Sequence, residues 1–313
     1  MIFRNTFRLL FSNFSNVWKL LLYYFICVII TALVCSGFVM PLISEFARAG
    51  ILTDTGNIAS NFFVVGPEAS LTALHEVNLR IIEILSANVT LKFFSVFTLT
   101  WLLFIFPLTL TMGQIALGEV LYGYMTSQVK YSFTGRYVKN MGKGFIYATL
   151  RYALLLVFNL INVGVIVCFF NLLIKGGGYV ILAMLVFALL ILLVALKRTL
   201  FSCWMPAICV LNEDIFASLV TNIKTSFRNF FTIFSNMLLL EILAIVFNLI
   251  FGVFTATVSL VVTLPITVFV FSIAEMTSFF SSRGMRFYVY PDMFISPKKF
   301  EEQDSIARIK NLI

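Results

Sequence analysis

The sequence predicts an all-α membrane protein with six transmembrane helices, arranged as three hairpins with cytoplasmic interfacial helices. Three observations predict it. Of the 313 residues, 61% are hydrophobic and only 12% are charged, whereas soluble domains run about 45–50% apolar and about 25% charged. The apolar residues gather into runs long enough to cross a hydrocarbon layer roughly 30 Å thick, which takes about 20 residues at about 1.5 Å each. The cations stand at the ends of these runs, mostly on alternate connections.

The first apolar run is 20–43, preceded by Arg4, Arg8 and Lys19. It is long for the core of a signal peptide and no small-residue cleavage site follows, so it reads as a retained span. Residues 44–91 are mixed and read as an external loop. Within it Asp54-Thr55-Gly56-Asn57 is a turn signal. Leu71, Leu74, Val77, Ile81 and Leu85 recur at helical spacing and predict one amphipathic helix over 68–86. The second span is 93–117, followed by a basic loop with Lys130, Arg136, Lys139 and Lys143. The third is 152–174, the turn Lys175-Gly176-Gly177-Gly178 follows, and the fourth is 179–196.

Thr199–Leu211 is apolar again but only 13 residues long, with Pro206 inside. That is too short to span; it reads as a helix extension, a re-entrant piece or an interfacial piece. Met237–Phe280 is 44 residues of almost unbroken apolar sequence. At about 1.5 Å per residue it is too long for one span and suffices for two, over 237–255 and 259–280, with the turn between Gly252 and Ser259. Residues 1–285 therefore make a single membrane domain. Residues 286–313 make a cytoplasmic tail, with a short helix expected from Pro297 and a solvated or lipid-facing basic surface at Lys298, Lys299, Arg308 and Lys310.

Orientation follows from the cations. With the N-terminus inside, 18 of the 22 Lys and Arg fall in inside segments, and only Arg48, Arg80, Lys92 and Lys175 fall outside. Cytoplasmic segments carry the excess of Lys and Arg, so the expected location is the cell (plasma) membrane, multi-pass, with both termini cytoplasmic. The net charge of +8 then points to anionic lipid headgroups as the partners and not to nucleic acid. A protein partner or homo-oligomer is left open.

A repeat shows faintly. Phe11-Ser12-Asn13-Phe14 precedes the first span, Phe227-Arg228-Asn229-Phe230 precedes the fifth, and Gly144-Phe145 stands before the third. Each lies in a short basic, aromatic segment of the kind that rests in the headgroup plane. The stretch Pro206-Ala207-Ile208-Cys209-Val210-Leu211-Asn212-Glu213-Asp214, followed by Ser218 to Phe230, resembles the membrane domain of membrane-anchored glycerophosphodiester phosphodiesterases and its stand-alone bacterial relatives. The resemblance covers about 30 residues and the six-span layout. It departs at Ser218, where alanine is usual, and at Asn222, where serine is usual. It implies a bacterial host and an architecture. The phosphodiesterase domain is missing, so no activity is implied.

Ionisable groups inside spans cost about 2.5–3.5 kcal/mol each near the centre, so they mark function or pairing. Glu119, Glu241 and Glu275 belong to three different spans, each in the cytoplasmic half. One reading is a cation, proton or amine site open to the cytoplasm. The other is pairing with Arg151, Lys197 or Arg198 at the same interface. Asn159 and Asn162 share a face of the third span, and Glu241 and Asn248 share a face of the fifth. Gly113 and Gly118, beside Gln114, allow close helix approach or a local break. Pro107, Pro206 and Pro265 are expected to mark kinks.

No enzyme constellation is present: GxSxG, a P-loop, HExxH and CxxC are all lacking. The five cysteines (Cys27, Cys35, Cys168, Cys203, Cys209) read as single buried thiols, and His75 is the only histidine. No metal or cofactor is therefore expected. Asn88-Val89-Thr90 fits a glycosylation sequon, which carries no meaning in a bacterium. The expected function is a non-enzymatic membrane scaffold, partner subunit or envelope-homeostasis factor. The alternative is a small transporter or export subunit that uses the glutamates.

Overall fold

A computed structural model describes residues 2–65, 67–175, 179–255, 259–290 and 293–295. The Gly176–Gly178 turn, part of the turn between the last two spans and the expected helix from Pro297 lie outside the described residues. In chain order the helices are α1 (Ile2–Ser12), α2 (Ser15–Arg48), α3 (Ile51–Val65), α4 (Pro67–Ala87) and α5 (Val89–Thr100). A π-helical segment (Trp101–Ile105) joins α5 to α6 (Phe106–Ser127). Then come α7 (Phe133–Lys139), α8 (Met141–Lys175), α9 (Tyr179–Phe201), α10 (Trp204–Leu211), α11 (Ile215–Arg228), α12 (Phe230–Phe254) and α13 (Leu260–Arg283). Strands β1 (Phe287–Tyr290) and β2 (Met293–Ile295) pair as an antiparallel hairpin.

Among the described residues six segments are long and apolar enough to cross a membrane: Ser15–Arg48, Val89–Ser127, Met141–Phe169, Met184–Leu211, Phe230–Phe254 and Val261–Arg283. The protein is an all-α, multi-pass integral membrane protein. The 34 residues of α2 rise about 51 Å, so this helix outreaches a hydrocarbon layer roughly 30 Å thick. Of the six, α13 is the most buried, with 61% of its most apolar window buried, against 22% or less in the others.

The chain divides into two compact units. The first holds residues 1–25, 109–159 and 188–313. Its core gathers Leu9, Leu20, Leu121, Met125, Trp204 and Phe280, with α1, α10 and α12 packed against α13. The β hairpin belongs to this core, since Phe287, Val289 and Ile295 are buried in it. Where the sequence reads as the start of a polar tail, alternation of Phe287 and Val289 turns one strand face inward. The second unit holds residues 26–108 and 160–187. There α3 packs on α4, Phe38 of α2 meets Phe94 and Phe97 of α5, and Trp101 Nε1 donates to Thr31 Oγ1 at 3.3 Å.

The turn expected at Asp54–Asn57 is instead helical, inside α3. The helix is interrupted earlier, at Gly50, between α2 and α3, where a φ of +74° suits glycine. Asp54 then falls in the first turn of α3, where a carboxylate favours the helix dipole, and accepts from Arg80 of α4 at 2.6 Å. The amphipathic helix expected over 68–86 appears as α4. Asn88 caps α5, its Oδ1 accepting from the Thr90 and Leu91 amides.

Prolines act in different ways. The π-helical segment ends just before Pro107, with the Phe106 amide reaching back five residues to Trp101 O; the wider turn makes room for the ring. Pro265 lies inside α13. Pro206 does not kink a continuous helix. It sits in the first turn of α10, where its missing N–H would have had no helical partner.

Each odd-numbered span is introduced by a short helix: α1 before α2, α7 before α8, and α11 before α12. An asparagine stands at every junction: Asn13, Asn140 and Asn229. Asn140 (φ −106°, ψ 15°) and Asn229 (φ −121°, ψ 27°) share one backbone shape. Asn13 Nδ2 donates to Leu9 O at 3.2 Å and Asn140 Nδ2 to Arg136 O at 3.0 Å, each closing the last turn of its short helix. The second junction is thus Asn140, four residues ahead of the Gly144-Phe145 pair that the sequence suggests.

Candidate functional site

Among the described residues of the first unit three ion pairs form, one for each of Glu119, Glu241 and Glu275. Glu119 of α6 accepts from Arg136 of α7 at 3.0 Å. The Arg136 guanidinium also lies over the Tyr131 ring, 3.8 Å from its centroid. That ring rests against Gly123, where a Cβ would come within 2.2 Å of it. Glu241 of α12 meets Arg198 of α9 at 2.7 Å, a close charge contact without hydrogen-bond alignment. Arg198 stacks on Phe271 of α13 at 3.7 Å.

The third pair is the most enclosed. Arg151 of α8 donates to Glu275 of α13 at 3.1 Å, and their side chains are only 9% and 6% exposed. Arg151 also donates to Gln114 Oε1 of α6 at 2.7 Å and to the Tyr147 hydroxyl. One guanidinium therefore ties α6, α8 and α13 together through its planar fork of donors. Its geometry matches the energetics: a charge in an apolar interior persists only when paired and hydrogen-bonded.

The remaining polar candidates also bridge helices or lie apart. Lys197 turns to Asn159 Oδ1 at 3.1 Å, from α9 to α8. Asn248 of α12 donates to Thr267 Oγ1 of α13 at 3.0 Å and to Ala244 O at 2.7 Å. Asn162 falls in the second unit, and its Oδ1 is buried without a hydrogen-bond partner among the described residues. His75 lies exposed on α4. Among the described residues no group of three or more His, Cys, Asp or Glu could hold a metal ion.

A second polar cluster is built around the break in the fourth span. The segment Thr199–Leu211 is both an extension and a separate piece: α9 runs on to Phe201, Ser202 and Cys203 turn, and α10 follows. Ser202 and Cys203 are fully buried, so a break there leaves backbone groups that must find partners within the protein. Asn222 of α11 supplies them. Its Oδ1 accepts from the Cys203 amide at 2.9 Å and its Nδ2 donates to Leu200 O at 2.8 Å. Ser226 and Ser218 share this inner face; Ser218 Oγ accepts from Trp204 Nε1 at 3.1 Å. Trp204 is fully buried and meets the Tyr147 ring edge-on at 5.0 Å, so the break and the Arg151 network adjoin.

The inward face of α11 is therefore polar, with Ser218, Asn222, Thr225 and Ser226 all buried. Its outward face is apolar: Phe216, Val220, Ile223 and Phe227 are exposed at helical spacing. Such an inversion suits a helix whose outer surface meets lipid. Glycines hold neighbouring helices close. A Cβ on Gly144 of α8 would come 2.8 Å from Met112 O of α6, and one on Gly118 would come 2.3 Å from Met205 Sδ.

Sequence reasoning missed Arg136 as the partner of Glu119, and Asn222 and Trp204 as members of the buried cluster. No family model, curated protein or solved structure matches this chain.

Proposed function

We propose that this is a non-enzymatic scaffold, partner subunit or envelope-homeostasis factor of a bacterial plasma membrane, with both termini in the cytoplasm. The supporting observation is that each of Glu119, Glu241 and Glu275 is matched by an arginine from another helix. Carboxylates that carry a proton or cation must exchange partners during a cycle. Here they join α6 to α7, α9 to α12 and α8 to α13, which favours a fixed frame over a moving pathway. The distribution of Lys and Arg supports the orientation.

The test uses the purified full chain in proteoliposomes. Glu119, Glu241 and Glu275 are replaced one at a time by Gln; folded yield, monodispersity and proton or cation flux are measured. The scaffold reading expects loss of folded yield and no flux above empty vesicles. Flux in the native protein that a well-folded Gln variant abolishes would overturn it in favour of transport.

A further inference from the structure

The first unit carries an open groove of about 480 Å³ between α1, α12 and α13. Phe7, Leu10 and Phe14 form one wall, and Ala244, Thr267 and Phe271 lie among the others. The volume falls in the roughly 300–1,000 Å³ range of ligand sites. Its lining is apolar apart from Thr267. The Thr267 hydroxyl is already engaged, donating to Thr263 O at 2.8 Å and accepting from Asn248 at 3.0 Å. Water filling this groove would find few partners.

We infer that the groove holds one acyl chain of an anionic phospholipid, with the headgroup phosphate at Arg4. Length supports the chain. On α12 the lining runs from Leu240 to Ile250, about 15 Å at 1.5 Å per residue. That is half of a hydrocarbon layer roughly 30 Å thick, or the depth of one leaflet.

Charge supports the headgroup and its end. The Phe3 amide donates to Asn236 Oδ1 at 3.3 Å. Asn236 lies one turn before Leu240, so the start of α1 meets α12 at the Leu240 end of the groove. Arg4, the next residue, is exposed and makes no ion pair or hydrogen bond among the described residues. It also sits three residues before Phe7, on a neighbouring position of the helix surface. At the same end Phe271 lines the groove, and the Arg198 stacked on it is already paired with Glu241, so the phosphate is assigned to Arg4. A cation at one end and an apolar trough of leaflet depth beyond it match a phospholipid's own polarity. The inference is independent of the scaffold reading, since either a frame or a transporter could retain a lipid.

The test is lipid retention by the full chain purified in mild detergent from vesicles of phosphatidylglycerol and phosphatidylcholine, with bound lipid extracted and weighed by mass spectrometry. The native chain is expected to keep about one phosphatidylglycerol per copy. Ala244→Trp fills the groove and should abolish retention, whereas Leu249→Trp, at a lipid-exposed site on the same helix, should leave it unchanged. Arg4→Gln should lower the preference for phosphatidylglycerol over phosphatidylcholine about fivefold, the equivalent of roughly 1 kcal/mol for one cation at an anionic surface. If Ala244→Trp fails to fold, a phosphatidylglycerol carrying a photoreactive group at its tail decides with the native chain. Labelling centred on Phe247, Ile250 and Ile266 supports the site. Native protein without retained lipid, equal loss in both Trp variants, no change in preference on removing Arg4, labelling spread evenly over all spans, or a peptide or quinone recovered in place of the lipid would each overturn it.

Discussion

Replacing Arg151 by alanine tests whether the buried network carries the fold. The guanidinium serves three acceptors on three helices: Glu275, Gln114 and Tyr147. Without it the Glu275 carboxylate stays in an apolar interior with no cation bonded to it, and Gln114 Oε1 loses its donor. Breaking one side of a buried ion pair costs about 3–5 kcal/mol. At roughly 2 °C per kcal/mol for a chain of this size, the melting temperature should fall by about 6–10 °C. The assay is heating in mild detergent followed by size-exclusion chromatography of the surviving folded fraction. The triple variant Arg151→Met, Glu275→Leu, Tyr147→Phe removes both charges and the stranded hydroxyl together, so it should recover most of the loss. An Arg151→Ala protein that melts within about 2 °C of native, or a triple variant no better than the single one, would refute the reasoning.

Three more outcomes follow from the same physics. Asn222→Ala strands the Cys203 amide and the Leu200 carbonyl, at about 1–3 kcal/mol each; the same heating assay should show a fall comparable to that of Arg151→Ala, and no fall would mean that water satisfies the break. Gly144→Ala must push α8 from α6 at Met112 O and should cost about 1–3 kcal/mol, whereas Gly142→Ala, which meets nothing within 4 Å, should be neutral; equal melting temperatures for the two would contradict the close approach. A nitroxide on Val220→Cys, in a chain whose native cysteines are otherwise replaced by serine or alanine, should be more accessible to oxygen than to a water-soluble nickel complex in bilayers. The reverse order would place the outer face of α11 in water.

Much of the architecture was legible because hydrophobicity is a local property. A run such as Leu20–Ile43 declares itself without any knowledge of its neighbours, and so does the doubled run Met237–Phe280. The short helices ahead of the odd spans were legible from aromatic and basic residues around Asn13 and Asn229. Asn140 escaped because its flanks, Lys139 and Met141, lack the phenylalanines of the other two. Asp54–Asn57 misled because Gly56 suggests a turn by composition, while the helix break falls at Gly50, where the backbone needs a positive φ.

By itself, then, the sequence determined the class, the six apolar helices and the presence of three carboxylates that need partners. The burial cost of charge guarantees that last demand wherever the helices go. Only the tertiary structure decided which cation answers each carboxylate: Arg136 for Glu119, Arg198 for Glu241 and Arg151 for Glu275. Pairing depends on how helices are rotated and how closely glycines let them approach, and neither is written in local periodicity. The structure also decided which face of α11 turns inward. In water an apolar stripe would mark the buried side. Beside a bilayer that rule loses its force, because lipid accepts the apolar face as readily as a protein core does. The polar face went inward because a broken span had a free amide and a free carbonyl there, and Asn222 could satisfy both.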